Sequence, residues 1–180
     1  MFYLRYVCCC LLLLILTACG SGAPATPTQV YRVISEVPAQ SALPLPTGEI
    51  ILTITGKIGR SNIPGTPKKV ALDLAGLESL GMVEYKVLDK QGEGREAMFQ
   101  GVLLQTLLMA VQTLPDATTL TFVARDDYHI DIPISDPQAY PILVATRIEG
   151  QPLALDQRGP ARIIYPYGYF PFDEVQTDRR

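Results

Sequence analysis

The chain has 180 residues, 48% of them hydrophobic and 18% charged, with a formal net charge of −3. That length suits one domain with a proper core. The mild acidity gives no reason to expect nucleic acid as a partner.

Arg5 supplies a short positive stretch, and Val7 to Leu16 follow as an apolar run. The run suits a cleaved signal segment and falls short of the roughly 20 residues that a bilayer span needs. Leu16-Thr17-Ala18-Cys19 closes it in the form of a bacterial lipobox, with small residues before a cysteine. Residues 1–18 are therefore expected to leave as a signal peptide, and Cys19 to carry a lipid. An ordinary cleaved signal with Cys19 incidental is the alternative. Gly20, where an aspartate would retain the chain at the inner membrane, favours the outer membrane in a Gram-negative host.

The cysteines are Cys8, Cys9, Cys10 and Cys19. Three leave with the signal and the fourth is acylated, so the folded domain has no thiol. This excludes a structural disulfide, a zinc-thiolate centre and a cysteine nucleophile within it. Loss of Arg5 alone moves the formal charge from −3 to −4.

Residues 19–47 are rich in Pro, Ala, Ser and Thr. Pro24, Pro27, Pro38, Pro44 and Pro46 forbid helix and favour extended, solvated chain. The stretch reads as a tether, with a short edge strand over Tyr31 to Ile34. The domain is expected over residues 48–180. Ile50 to Thr55 is β-branched and predicts a strand ending at Gly56. Ser61 to Pro67 is a loop, and Val70 to Leu72 a short strand. Asp73 is placed to cap a helix from Leu74 to Leu80, stopped by Gly81. Val83 to Val87 alternates and predicts a half-exposed strand. Lys90 to Gly94 is turn chemistry, so Arg95 to Gln100 should return as a hairpin partner.

Leu104, Leu107, Leu108 and Val111 then fall at i, i+3, i+4 and i+7, the spacing of an amphipathic helix. Leu120 to Ala124 and His129 to Ile134 predict two strands around an Asp126-Asp127 turn. Ile142 to Ile148 and Ala161 to Tyr165 predict two more. Many short strands with two or three short helices give an α+β, β-rich fold.

Five stretches, in order, resemble the oxidoreductase molybdopterin-binding domain, the fold of sulfite oxidase. They are Leu52-Thr53-Ile54-Thr55-Gly56, Phe99 to Leu104, Asp127 to Pro133, Ile148 to Leu153, and Gly159 to Pro166. The resemblance implies a mixed, β-rich sulfite-oxidase-like fold and, in catalytic members, a cysteine thiolate on molybdenum. That cysteine should lie between the Val83 strand and the Phe-x-Gly before the helix. Here the segment runs from Val87 to Arg95 and holds no cysteine. Asp89 or Glu93 offers only a hard oxygen donor, which does not replace a soft thiolate on high-valent molybdenum. The Trp-bearing final strand usual in the family has no counterpart, because the chain has no Trp. Molybdopterin is thus implied by the resemblance alone, and the departures argue against it.

Candidate sites remain. Asp127, His129 and Asp131 share one strand face, a row able to bind a divalent cation or tune the only histidine. A solvent-facing strand surface explains the row equally well. Tyr165, Tyr167, Tyr169, Phe170 and Phe172 form an aromatic group suited to a ligand groove or a partner interface. A tail packed across the domain's own core is the competing reading. Arg125, Arg158 and Arg162, near strand ends, could clamp an anionic group, a pterin phosphate included. Surface charge is the plainer explanation.

No Ser-His-Asp spacing, Gly-rich phosphate loop or paired acid motif appears, so no catalytic residue is expected. Three readings follow: a lipid-anchored, non-redox binding or sensory module; a molybdopterin oxidoreductase or subunit with an unusual ligand set; and an envelope lipoprotein presenting a surface. The expected partners are a membrane through the lipid, and a small molecule or an envelope protein.

Overall fold

A computed structural model describes residues 29–37, 43–65, 67–90 and 94–170. Cys19, Glu93, Phe172 and the signal segment lie outside them. Ten strands, three short α-helices and one 3-10 turn are present among the described residues. In order these are β1 (Arg32–Ser35), β2 (Ile50–Thr55), β3 (Lys69–Asp73), α1 (Leu74–Glu78), β4 (Met82–Leu88) and β5 (Glu96–Leu103). Next come α2 (Leu104–Ala110), β6 (Thr119–Val123), β7 (His129–Pro133), α3 (Asp136–Ala139), β8 (Leu143–Ile148), β9 (Gln151–Pro152) and β10 (Arg162–Ile164). The 3-10 turn, Leu155–Gln157, separates β9 from β10. The expected α+β, strand-rich class is what the chain forms.

The main sheet runs β1-β4-β5-β8-β10, with β9 also on β8, and every pairing in it is antiparallel. β2–β3 and β6–β7 form separate two-stranded sheets. Alternation divides the main sheet between two cores. Val83, Tyr85, Val87, Ala97, Phe99, Leu143, Ala145 and Ile164 share one cluster. Val102 and Val144 point the other way, into a cluster with Leu72, Leu77, Leu104, Leu107 and Ile132. β4 buries Val83, Tyr85 and Val87 on one face and leaves Lys86 and Leu88 exposed on the other, the half-exposed strand its alternation predicts. Glu84 is buried too, since Arg32 of β1 lies over it and Gln100 of β5 donates to it at 2.7 Å.

β1 falls within residues 19–47, the stretch read as tether, where the short edge strand is expected, and it lies at the edge of the main sheet beside β4. The domain is also tied to Thr47 and Gly48, whose backbone N–H groups both donate to Asp73 at 2.7 Å. The same carboxylate caps α1 by accepting from the Gly76 N–H at 2.7 Å, as its position before the helix predicts. Three backbone donors hold its pKa below the ordinary carboxylate value, Gly76 acting most strongly.

Gly101 sits inside β5 rather than at the start of a helix. A Cβ there would stand 2.1 Å from the Val144 carbonyl oxygen. The residue is small because β8 crosses it closely at a register shift. α2 begins instead at Leu104, whose N–H donates to the Ile142 carbonyl at 2.8 Å.

Candidate functional site

β4 and β5 form a hairpin whose turn opens at Asp89. The Asp89 N–H donates to the Arg95 carbonyl at 2.8 Å, and the Gly94 N–H to the Asp89 carbonyl at 3.0 Å. This folds the Asp89 side chain inward, toward the opposite edge of the sheet. There β10 pairs with β8, with Arg162 facing Ala145 in register.

The two side chains meet. Arg162 Nη2 donates to Asp89 Oδ1 at 2.5 Å and Nη1 to Oδ2 at 3.4 Å, and each side chain is 7% exposed. The guanidinium carbon also lies 5.3 Å from the centre of the Phe99 ring. A buried charge pair of this kind is costly to break on one side only, by about 3–5 kcal/mol, because the remaining charge is left uncompensated. The pair locks the turn against β10. One donor is left over: Arg162 Nε is buried with no hydrogen-bond acceptor among the described residues.

The residues after β10 form an aromatic strap across this corner. The Tyr165 hydroxyl donates to Asp136 at the start of α3, at 3.0 Å. Lys90 Nζ stands 4.3 Å over the centre of the Tyr167 ring. Tyr169 meets Tyr85 edge-on at 6.5 Å, and Phe170 meets Tyr140 edge-on at 5.3 Å. Tyr85 is itself buried, its hydroxyl donating to the Ile164 carbonyl at 2.9 Å. Burial pushes its phenol far above the ordinary value, so it stays protonated. Beneath the strap lies a pit of about 10 Å³, bordered by Val87, Asp89, Lys90, Phe99, Arg162 and Tyr167.

A larger cleft of about 590 Å³ opens elsewhere, between the lead-in to β1 and the end of α3. Tyr31, Leu103, Gln105, Gln138, Tyr140 and Phe170 are among its walls, and none of the residues lining it is charged. Sequence reasoning missed it, since its walls come from four separated segments with no shared period.

The three arginines are not brought together. Arg162 is in the corner, whereas Arg125 is an exposed residue of the β6–β7 turn. Arg158 is exposed as well, in left-handed conformation after the 3-10 turn. Neither borders the pit. Of the aromatic group, Tyr165 and Tyr167 border it, and Tyr169 instead packs on Tyr85. Asp127 lies in the turn with positive φ, His129 is exposed on β7, and Asp131 accepts from Thr121 Oγ1 at 2.5 Å. No group of three or more His, Cys, Asp or Glu side chains able to hold a metal ion occurs among the described residues.

The sequence model of the oxidoreductase molybdopterin binding domain family matches residues 74–171, more than half of the chain. No curated protein matches it. The matched span runs from α1 through the strap and includes the whole corner.

Whether the corner suits the family's cofactor is decided by its donors and its size. All four cysteines precede residue 20, so the matched span offers molybdenum no thiolate. The carboxylate in the β4–β5 turn is committed to Arg162. A pit of about 10 Å³ takes one water, far below the ~300 Å³ at which cofactor pockets begin. These residues do not fit a molybdenum–pterin group.

Proposed function

The chain belongs to the oxidoreductase molybdopterin-binding domain family, and from that premise we propose that it is a lipid-anchored extracytoplasmic member serving as a non-redox binding module. The observation that carries the reading is the Asp89–Arg162 pair. It ties up, with the chain's own charges, the turn segment in which the resemblance would put the metal-ligating cysteine of a redox member. The absence of a cysteine from residues 20–180 supports the same reading from the sequence.

Anchoring rests on the lipobox ending at Cys19. A lipid on that residue places the domain on the outer side of a bacterial membrane, where a small solute or another envelope protein is the natural ligand. Replacement Cys19→Ser should release the chain from the membrane fraction and abolish labelling by a radioactive fatty acid. Retained label would remove the anchoring proposal.

The loss of redox chemistry is tested by producing the chain in a host that makes molybdopterin. The purified protein would be assayed for molybdenum by mass spectrometry and for pterin by fluorescence after oxidation. Both should be far below one per chain. Near-stoichiometric amounts of both would restore an oxidoreductase with an unusual ligand set.

A further inference from the structure

We propose that the outer edge of β6 is a self-association surface, on which the β6 of a second copy of this chain adds as an antiparallel strand centred on Thr121. The surface is apart from the Asp89–Arg162 corner, and the inference does not rest on the binding-module reading.

The register of the β6–β7 hairpin decides which backbone groups are spare. Thr119 faces Pro133, Thr121 faces Asp131 and Val123 faces His129. At the two ends of the ladder, the Ala124 N–H donates to the Tyr128 carbonyl at 2.8 Å and the Ile134 N–H to the Thr118 carbonyl at 3.0 Å. Bonded and unbonded pairs alternate along an antiparallel ladder. Leu120 with Ile132 and Phe122 with Ile130 are therefore bonded pairs, and the three pairs between and beyond them are not. The N–H and C=O groups of Thr119, Thr121 and Val123 point away from β7. All three residues are exposed, and no hydrogen bond reaches these outward groups among the described residues.

The other sheet edges are guarded and this one is not. β1 and β2 each carry a register shift. The edge of β3 is covered by the Asn62 carboxamide, which bonds the N–H and C=O of Ala71 at 2.9 and 2.8 Å. β7 brings Asp131 and Pro133 to its edge. β6, Thr-Leu-Thr-Phe-Val, pairs in an unbroken register and holds no charge, proline or glycine. A strand edge of that kind is a template for another strand.

A second copy is the occupant because the edge is its own complement. Turned about Thr121, the outward groups of Thr121 meet those of Thr121, and Thr119 meets Val123, each pair exchanging both of its N–H···O bonds. On the opposite face Leu120 of one copy meets Phe122 of the other, and both are half-buried apolar side chains in the single chain. No like charges face each other between the two strands.

The test follows the full chain in mild detergent by sedimentation, and by amide hydrogen exchange in a nitrogen–proton correlation spectrum, at rising protein concentration. The expected result is a reversible monomer–dimer equilibrium. The Thr119, Thr121 and Val123 amides should slow as the dimer fills, and those of His129 and Asp131, on the other edge, should not. A sample mixing labelled and unlabelled chains should show contacts between the α-protons of Leu120 in one copy and Phe122 in the other. Thr121→Pro removes an outward N–H, which an edge strand tolerates, together with the exposed side-chain bond to Asp131. It should weaken dimerisation at least about tenfold. Thr121→Lys sets like charges opposite one another without touching the backbone, and should do the same even where the proline variant does not fold. Thr121→Ser should dimerise as the parent does.

A chain that stays monomeric at the highest concentration reached overturns the proposal. So does a dimer whose β6 amides exchange as fast as the monomer's, one without the Leu120-to-Phe122 contacts, or one that Thr121→Lys leaves intact.

Discussion

The β4–β5 turn and the β6–β7 turn both present a cluster of charged residues at a hairpin tip, and they meet opposite fates. At the first, Asp89 turns inward and is matched by Arg162 from a strand 73 residues away, under an aromatic strap. At the second, Arg125, Asp126 and Asp127 face solvent, and His129 and Asp131 continue along the exposed face of a two-stranded sheet. The difference lies in what covers each tip. β4 and β5 are central strands of the main sheet, with neighbours on both sides, so their turn ends against β10 and the segment that follows it. β6 and β7 have no further strand beside them among the described residues. Charge counts for much only where it is desolvated.

Substitutions at the two tips should diverge accordingly. Arg162→Ala removes the cation that faces the buried Asp89 carboxylate and is expected to cost about 3–5 kcal/mol in urea unfolding. A loss below 1 kcal/mol would mean that the corner opens to water. Gly101→Ala drives a Cβ onto the Val144 carbonyl and should part β5 from β8. It should lower the melting temperature steeply and expose the β5 amides to hydrogen exchange. Tyr165→Phe removes one hydrogen bond to Asp136, with an expected loss of about 1 kcal/mol. At the other tip, Arg125→Ala and His129→Ala should each stay within about 0.5 kcal/mol of the parent. A larger loss there would erase the contrast.

A smaller effect concerns acid. Asp73 is held below its ordinary pKa by backbone donors, and Glu84 by Gln100 first and Arg32 second. A carboxylate depressed in the folded state stabilises the fold above its unfolded pKa, near ~4. That stabilisation is lost as the pH falls through the lower, folded value. Melting temperature should therefore drop on acidification through this range. Asp73→Asn and Glu84→Gln should each start lower at neutral pH and fall less steeply. Parallel curves for parent and variants would show that neither group drives the acid transition.

Much of the architecture was legible in local sequence because local physics sets it. Asp73 before an apolar run predicts its own cap, and the i, i+3, i+4, i+7 leucines predict α2. The alternation from His129 to Pro133 gives the exposed row as it stands. Four of the five ordered stretches, from Phe99 to Pro166, lie within the span that the family model matches, and Leu52 to Gly56 precedes it. The corner was not legible as a unit. Arg162 and Asp89 are each singled out by the sequence, but nothing in strand period or spacing pairs them, since their meeting depends on the strand order of the main sheet. The burial of Glu84 was hidden for the same reason, because Arg32 reaches it from a stretch whose prolines read as tether. The closeness of β8 to Gly101 is likewise invisible in the local sequence, since it depends on which strand lies beside β5. α3 is four residues long, too short for any periodicity to mark it.

The account turns on Asp89 and Arg162 acting as one buried unit. A double-mutant cycle on the two, with Asp89→Leu, Arg162→Leu and the double variant compared by urea unfolding, measures this directly. Each single change should be strongly destabilising, and the double variant should recover much of the loss, with a coupling of about 2 kcal/mol or more. Additive losses would contradict the account, since two side chains that do not depend on each other cannot be what closes the corner.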